Sequence, residues 1–300
     1  MLEAVPNVSE GRDIALVRAI GDAFATRAAL LDVHSDVDHN RSVFTLAGDD
    51  EALVEALLAG IAKALELIDL REHEGVHPRV GAVDVVPLVP LVPEDMERAR
   101  QAALAVAERV GAGRGLPVFL YGEVGEGRRP AFFRRGGPEE LQRRVAAGEL
   151  VPAAGPAELD PRSGALLVGA RAPLVAYNLV LDTDDAEIAR DIAAVVRESG
   201  GGMAGLQAIG LRLASTGHAQ VSMNVIDVER APLHAVVELV RRESAARGVE
   251  VVDGELVGLV PEAALTAASA AGAEIPGVDA SHVLETMVGN TLGWWPRRSS

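Results

Sequence analysis

The sequence predicts an α+β fold built from two similar β-α-β-β-α-β halves, the split order of ferredoxin-like domains. Strand-like apolar runs and helix-like periods follow that order twice along the chain. Between the two halves, residues 147–163 change to a composition rich in proline, glycine and alanine, which indicates a connector or binding loop. A length of 300 residues also suits two domains of about 150 residues each. We expect subdomains at 1–170 and 171–300.

The elements of the first half follow from its hydrophobic periods. A short apolar run at 4–8 predicts a strand, and apolar residues at helical spacing from Ile14 to Phe24 predict a helix. Asp49 and Asp50 are typical helix-start residues. The other predicted elements are strands at 30–33, 42–47, 80–92 and 117–121, helices at 49–68 and 94–111, and a short helix around Leu141. The pairs Arg128-Arg129 and Arg134-Arg135 predict an exposed loop before that short helix.

The second half repeats the order without visible residue identity to the first. Its predicted elements are strands at 174–181, 206–213, 219–228 and 249–252, and helices at 184–198 and 232–247. Pro232 and Gly248 suit the start and the end of the second helix. Further short helices are expected at 260–271 and 281–287. The pair Trp294-Trp295, followed by PRRSS, is a weak indication of an interface.

Composition excludes several classes of function. With 28 basic and 44 acidic residues the net charge is −16, which disfavours binding to nucleic acid or to an anionic membrane. The absence of cysteine excludes disulfides, thiolate metal sites and a cysteine nucleophile, and it fits a cytoplasmic protein. No signal peptide and no 18-residue apolar run is visible. Lys63 is the only lysine, so a site for an anionic substrate must use arginine.

Four of the seven histidines lie in two polar segments at the ends of predicted elements, DVHSDVDHNRS (32–42) and REHEGVHPRVGAVD (71–84). They are His34, His39, His73 and His77. One hypothesis is a metal site, because His73 and His77 have the i, i+4 spacing of helical zinc ligands. Asp36, Asp38 and Glu74 could add oxygen ligands. That spacing requires a helix, however, and Pro78 disfavours helical geometry at His77.

The other hypothesis is acid–base chemistry. His77 precedes a proline that restricts its backbone, and imidazole can exchange protons near neutral pH. Arg41 and Arg79 each offer a planar guanidinium suited to a carboxylate. Nucleophilic and phosphate-loop chemistry are disfavoured, since no GxSxG is present and the glycine-rich stretch at 199–205 lacks the lysine and hydroxyl of a P-loop.

Six segments together resemble one family. They are VPNVSEGRD (5–13), DVHSDVDHNRSVFTLAG (32–48), HEGVHPRVGAVDVVPLVPL (73–91), PVFLYGE (117–123), GALLVGARAPLVAYNLVL (164–181) and HAQVSMNVID (218–227). The chain resembles glutamate formimidoyltransferases of the monofunctional bacterial type, from about Val5 to Val260. These enzymes transfer the formimidoyl group of N-formimino-L-glutamate to N5 of tetrahydrofolate in histidine degradation and one-carbon metabolism.

The resemblance implies a fold, a site and partners. It implies two similar subdomains with the active site in the cleft between them, and His77 as the catalytic residue. Tetrahydrofolate is then a co-substrate, no metal is expected, and a homodimer is what the family suggests. The implied folate-binding residues are Gly155, Pro156, Ala157, Glu158, Leu159, Asp160, Pro161, Arg162, Ser163 and Gly164. The substrate-binding candidates are His34, Asn40, Arg41 and Arg79.

Three functions are therefore compatible with the sequence. The favoured one is a folate-dependent formimidoyltransferase that uses His77 as acid and base. The second is a metal-dependent, amidohydrolase-like enzyme that uses the four clustered histidines. The third is a non-catalytic folate-binding homologue, because vertebrate-type members have an aspartate at the position of His34 and an aromatic residue at that of Ser163.

Overall fold

The computed structural model describes residues 1–295. The chain divides into two compact units, of which the first is Met1–Ala172 and the second begins at Pro173. Helices and strands alternate within each unit, in agreement with the predicted α+β fold. The residues PRRSS at 296–300, which follow the tryptophan pair, lie outside the described residues.

The first unit contains a seven-stranded sheet. Its strands are β1 (Leu2–Ala4), β2 (Asn7–Val8), β3 (Ala29–Asp36), β4 (Arg41–Gly48), β5 (Val83–Pro90), β6 (Val118–Gly122) and β7 (Leu166–Ala170). β1 and β2 form one strand position interrupted at Pro6, since both pair antiparallel with β4 on one side and with β5 on the other. β3 pairs with the other edge of β4. The resulting order β3-β4-β1/β2-β5 is the ferredoxin-like order that the β-α-β-β-α-β pattern predicts.

Proline within β5 is compatible with this sheet because of that interruption. Pro87 has no N–H to donate to a neighbouring strand, which normally restricts proline to sheet edges. Here Ala4 pairs with Leu88 and Asn7 with Val85, so the break between β1 and β2 lies opposite Pro87. The N–H of Val5 donates to the carbonyl of Pro87 at 3.2 Å. β5 thus forms within the predicted segment 80–92.

Three helices pack their apolar sides on one face of the sheet. They are α1 (Ile14–Phe24), α2 (Asp50–Leu67) and α3 (Met96–Arg114). Asp49 accepts a hydrogen bond from the N–H of Ala52, which satisfies a free donor of the first turn of α2. Phe24 and Phe44 are fully buried with ring centroids 5.1 Å apart. Burial of each such side chain contributes about 1.5–3 kcal/mol to folding.

Beyond β5 the sheet continues with two parallel strands, β7 and then β6. The sequence predicted β6 but assigned no strand to 166–170, expecting the pattern to resume only at 174. β7 lies between two parallel neighbours and is buried throughout. A short run such as LLVGA has no period of its own, and its partners β5 and β6 are far away in sequence. That expectation was therefore wrong.

A second layer covers β5, β6 and β7 on the opposite face. It contains α4 (Pro130–Arg134) and α5 (Gly137–Ala146). Phe133 is 1% exposed, and its ring centroid lies 5.5 Å from that of Phe119. The following side chain, Arg134, is only 15% exposed. The expected exposed loop at Arg134-Arg135 is thus wrong for Arg134, because the short helix α4 places it against the sheet.

The second unit has a four-stranded antiparallel sheet. Its strands are β8 (Val175–Leu181), β9 (Leu206–Arg212), β10 (Ala219–Val225) and β11 (Val251–Val257), and its helices are α6 (Ala186–Val196), α7 (Leu233–Ala245), α8 (Glu262–Ala270) and α9 (Leu284–Leu292). The order β11-β8-β10-β9 is again ferredoxin-like. The chain order β8-α6-β9-β10-α7-β11 confirms the predicted pattern of this half.

Strand β11 and the tryptophan pair are two further features of the second unit. β11 continues to Val257 instead of ending at Val252, because the charged residues Asp253 and Glu255 interrupt the apolar run without ending the strand. Trp295 is 55% exposed, and its ring lies over Gly289 of α9, where an added Cβ would stand 2.2 Å from it. Within 1–295 no helix is both long and apolar enough to cross a membrane.

Candidate active site

The hairpin between β3 and β4 carries one of the two polar segments. The carboxylate of Asp36 accepts hydrogen bonds from the N–H groups of Asp38 and His39, at 2.8 and 2.7 Å. This Asx turn is a local reason for aspartate at the start of the hairpin. The second oxygen of Asp36 lies 3.4 Å from Nδ1 of His39. Asp36 therefore shapes the hairpin and orients the His39 ring.

Asn40 joins this hairpin to two other segments. Its φ of 46° lies in the left-handed region, which asparagine adopts more readily than most residues. Its Oδ1 accepts from the N–H of Gly11 at 3.0 Å, and its Nδ2 donates to the carbonyl of Glu74 at 2.9 Å. The residue is 7% exposed. Asn40, a substrate-binding candidate, thus has both amide atoms bonded to backbone and holds three segments together.

Residues 73–79 of the second polar segment pack against the hairpin. His73 donates from Nε2 to the carbonyl of Asn40 at 2.8 Å. The N–H of Val76 donates to the carbonyl of Asp38 at 3.1 Å. The structure therefore brings together the two segments that the histidine pattern singled out, and the second of them is irregular instead of helical.

Arg79 closes the second segment on itself. Its Nη2 donates to the carbonyl of His73 at 2.7 Å, and its Nη1 to that of Gly75 at 3.4 Å. Gly75 approaches the hairpin so closely that a Cβ would stand 2.4 Å from the carbonyl oxygen of His39. Arg79 thus orders the loop, and its guanidinium already uses two donors on backbone.

His77 lies between this loop and β4. Its Nε2 is 2.7 Å from Nη1 of Arg41. Because a guanidinium can only donate, Nε2 must carry the lone pair and accept this hydrogen bond. We therefore assign the ring proton to Nδ1, which agrees with the hydrogen bond between the ring and the backbone of Pro78. The ring of His39 meets the His77 ring edge-on, with centroids 5.8 Å apart.

Burial and positive neighbours keep His77 neutral. Burial is the largest cause that lowers its pKa well below the usual 6.5, and the charges of Arg41, Arg134 and His39 lower it further. Burial, followed by the charge of Arg134, lowers the pKa of Arg41 to about 10. Arg41 is then still a cation at neutral pH. The pair is a neutral base beside a fixed positive charge.

Asp84 and Arg134 form a buried ion pair beside this group, and neither was a sequence-predicted site residue. Nη2 of Arg134 donates to Oδ2 of Asp84, whose side chain is 3% exposed. Oδ1 of Asp84 accepts from the N–H of Val80 at 2.8 Å. Both carboxylate oxygens are therefore bonded, which fixes the direction of the Arg134 guanidinium.

A bulge in β5 gives Asp84 its position. Asn7 pairs with Val85 and Val8 with Val83, so Asp84 is the extra residue between two pairs. A bulge bends the strand and redirects a side chain, and such irregularities are common next to active sites. The first unit thus uses an interrupted ladder to turn a carboxylate toward Arg134.

The predicted folate loop, 155–164, is tied to its surroundings along its length. The N–H of Leu159 donates to Oε1 of Gln142 on α5 at 2.7 Å. Arg162 donates from Nη2 to the carbonyl of Glu66 at the end of α2, at 2.8 Å. A shallow groove of about 480 Å³ opens between the loop and α5. It is lined by Gln142, Val145, Ala146, Ala157, Glu158, Leu159 and Pro161.

The end of this loop lies beside the segment that follows His77. The N–H of Ala82 donates to the carbonyl of Ser163 at 2.9 Å. Gly164 has φ 68°, and a Cβ there would stand 2.1 Å from the carbonyl oxygen of Val80, so only glycine fits without strain. The predicted folate loop and the His77 segment are thus neighbours within the first unit.

His34, the remaining candidate, lies on β3 opposite Val43 and is partly buried. Asp36 pairs with Arg41 on the same two strands. Directly opposed residues of an antiparallel pair point to the same face, and so do residues two apart on one strand. His34 therefore shares its face of the sheet with Asp36 and Arg41.

Comparison with known proteins decides the family. The family model for the formiminotransferase domain, N-terminal subdomain, matches residues 1–171. The family model for the formiminotransferase domain matches residues 176–273. The chain belongs to the formiminotransferase family. All the site geometry described above, from Gly11 to Gly164, lies within the first match.

Proteins from several organisms are similar to this chain along most of its length. It is 39% identical over 294 residues to the glutamate formimidoyltransferase of Thermoplasma acidophilum, covering 95% of this chain and 96% of that protein. It is 38% identical over 270 residues to that of Streptococcus pyogenes serotype M1, covering 88% and 90%. The formimidoyltransferase-cyclodeaminase of Gallus gallus is 41% identical over 277 residues, and the match spans 51% of that longer protein.

The metal hypothesis needs several of the clustered side chains to face one point. In the part of the chain that the structure describes, no group of three or more His, Cys, Asp or Glu side chains could hold a metal ion. His73 directs Nε2 to a backbone carbonyl, and His77 directs Nε2 to Arg41. A metal cation at His77 would also meet the charges of Arg41 and Arg134. The donor groups around His77 suit an anion.

Proposed function

We propose that this formiminotransferase transfers the formimidoyl group of N-formimino-L-glutamate to N5 of tetrahydrofolate, releasing L-glutamate and 5-formimidoyltetrahydrofolate. The observation that carries the proposal is the His77 imidazole, whose Nε2 accepts a hydrogen bond from Nη1 of Arg41 at 2.7 Å. The names and the similarity of the relatives support the donor and the reaction class.

The chemistry needs one group that takes a proton and returns one. Attack of N5 on the amidine carbon forms a C–N bond and gives a tetrahedral intermediate. N5 must then lose its proton, and the glutamate nitrogen must gain one before its C–N bond breaks. Neutral His77 can accept the first proton and deliver it to the leaving nitrogen, which contributes about 10²–10⁴-fold to the rate. Orientation of the two bound substrates contributes further.

The residues around His77 suggest how the substrates bind. We propose that the folate lies along loop 155–164, where the groove beside Leu159 and α5 offers an apolar wall. Arg41 is the first candidate for a donor carboxylate. Arg79 and Asn40 then act mainly by holding the loop that carries His77, because their side chains bond to its backbone. His34 remains a candidate on the same face of the sheet as Arg41.

The wider setting is also part of the proposal. We expect the two units to act as the N-terminal and C-terminal subdomains, 1–170 and 171–300, in a cytoplasmic enzyme of histidine degradation and one-carbon metabolism. We expect no metal in the reaction, because His77 itself is the proposed acid and base. A homodimer is tested by light scattering after size-exclusion chromatography, where a mass near 31.3 kDa contradicts it.

Product analysis tests the function. Purified enzyme is mixed with N-formimino-L-glutamate and tetrahydrofolate, and L-glutamate and the folate product are measured together. We expect equal amounts of glutamate and of an N5-substituted folate. Glutamate released without a folate product would point to hydrolysis, whereas folate binding without turnover would point to a binding homologue. Either result contradicts the proposal.

A further inference from the structure

Two buried guanidinium groups beside His77 each have an unused donor. The Nε atoms of Arg41 and Arg134 are buried and have no hydrogen-bond partner among the described residues. Buried N–H groups are nearly always paired, because one left unpaired loses its hydrogen bonds to water without replacement. Two such donors on neighbouring cations indicate that an acceptor belongs between them.

The way these charged groups use their hydrogen bonds points to an anion. Arg134 is close enough to Arg41 to lower its pKa, and both cations lower that of His77. The carboxylates that oppose this effect at Arg41 are Asp84 and Asp36. Asp84 already bonds to Arg134 and to a backbone N–H, and Asp36 bonds two N–H groups of its own turn. Both carboxylates thus bond to other donors, and the Nε–H groups of the two arginines remain without an acceptor among the described residues.

We propose that Arg134, held in direction by Asp84, forms with Arg41 a binding site for a carboxylate group of the glutamate donor, directly beside His77. The inference rests on the proposed function for the identity of that donor. N-formimino-L-glutamate and its product L-glutamate both carry carboxylates, and the planar guanidinium group suits a two-point contact with such a group. The residue is missing from the sequence-predicted set because Arg134 was expected to be exposed.

Binding of a carboxylate at this site would also change the hydrogen bonding of His77. Arg41 now donates to Nε2 and so occupies the lone pair that the reaction needs. A carboxylate between the two arginines offers Arg41 a stronger, charged acceptor. The lone pair of His77 then becomes available, and the effect of both cations on its pKa weakens. Donor binding and activation of the base are thus coupled through Arg41.

Direct binding of L-glutamate, measured by isothermal titration calorimetry, tests the site without turnover. Arg134→Gln should weaken binding by about 10- to 100-fold, the range for loss of a charged hydrogen bond. Arg135→Gln is the matched control, because it removes the same charge from the exposed neighbouring residue. Its affinity should stay that of wild type.

A second variant separates binding from folding. Arg134→Gln leaves Asp84 as a buried unpaired carboxylate, which destabilises the fold. The double variant Asp84→Asn with Arg134→Gln removes both charges, and its thermal midpoint shows whether it is folded. A folded double variant that has lost glutamate affinity supports the site.

Retained affinity in the folded double variant overturns the inference and makes Asp84–Arg134 a structural ion pair. If the wild-type enzyme transfers the group but Arg134→Gln changes neither affinity nor the KM for the donor, the function stands and the site fails. If wild type shows no transfer at all, the proposed function itself fails.

Discussion

The two units repeat one strand order but differ in how regular it is. In the second unit, β10 pairs in unbroken register with both β8 and β9 from Ala219 to Val225. In the first unit, the strand β1/β2, which corresponds to β8, is interrupted at Pro6, and β5 bulges at Asp84. Among residues 1–295, the second sheet has one register shift, at the start of β11.

The features of the candidate site gather where the first unit is irregular. Asn40 has a positive φ, Asp84 is the bulged residue, and His77 lies in a segment with neither helix nor strand. In a regular sheet, the backbone N–H and C=O groups bond to the neighbouring strands. An interruption or bulge leaves residues unpaired and redirects their side chains, so that they can make other contacts. The proposed chemistry thus lies in the less regular first unit, and variants in both units can test this contrast.

The largest effect is expected at His77. His77→Ala should lower kcat by about 10²–10⁴-fold, because the acid–base group is lost. Tetrahydrofolate affinity, measured by calorimetry, should remain that of wild type. His218→Ala, in the β9–β10 hairpin of the second unit, is the control and should keep full activity. Equal losses of folate affinity and turnover in His77→Ala would assign His77 a merely positional role.

Arg41→Gln should have the next largest effect. Loss of its charged hydrogen bonds should lower kcat/KM for the donor by about 10- to 100-fold. The dependence of kcat/KM on pH should also change. Arg41 lowers the pKa of His77, so its removal raises that pKa, and the acid limb of kcat/KM moves to higher pH. Arg241→Gln on α7 is the exposed control. An unmoved acid limb would contradict the pairing of Arg41 with His77.

Asn40→Ala should mainly reduce stability. Two backbone groups lose their partner, and alanine at φ 46° is strained, so the free energy of unfolding should fall by about 2 kcal/mol. Urea denaturation measures this. Asn224→Ala, at an exposed position of the regular strand β10, should change it by less than about 0.5 kcal/mol. Equal losses in the two variants would remove the contrast between the units.

The smallest effect is expected at the folate loop. Gln142→Ala removes the acceptor for the N–H of Leu159 and should weaken tetrahydrofolate binding by about 3- to 10-fold. Calorimetry measures the change, with Gln101→Ala on α3 as control. Unchanged folate affinity together with weakened glutamate binding would move the folate away from this loop.

Much of the fold could be predicted because its signals are local. Apolar spacing from Leu53 to Ile61 and the capping residue Asp49 define α2 without tertiary information. β7 could not be found in this way, since LLVGA has strand meaning only between two distant parallel partners. The same holds for the interruption at Pro6. It accommodates Pro87, which lies in another strand.

The site was predictable in part for the same reason. His77 and Arg41 stand in polar segments whose composition is visible, but the bond between them depends on how two loops pack. The prediction for Arg134 was wrong because the direction of its side chain depends on the burial of the preceding residue, Phe133. That burial is a tertiary contact. Asp84 did give a signal: a charged residue inside an apolar run needs a buried partner.

Titration of His77 tests the central claim most directly. Enzyme labelled with ¹⁵N-histidine is titrated by NMR with and without L-glutamate, and His77→Gln assigns the signal. We expect a neutral ring with the proton on Nδ1 at pH 7, a pKa well below 6.5, and a rise of that pKa when glutamate binds. A pKa at or above 6.5 in the enzyme without glutamate would contradict the account.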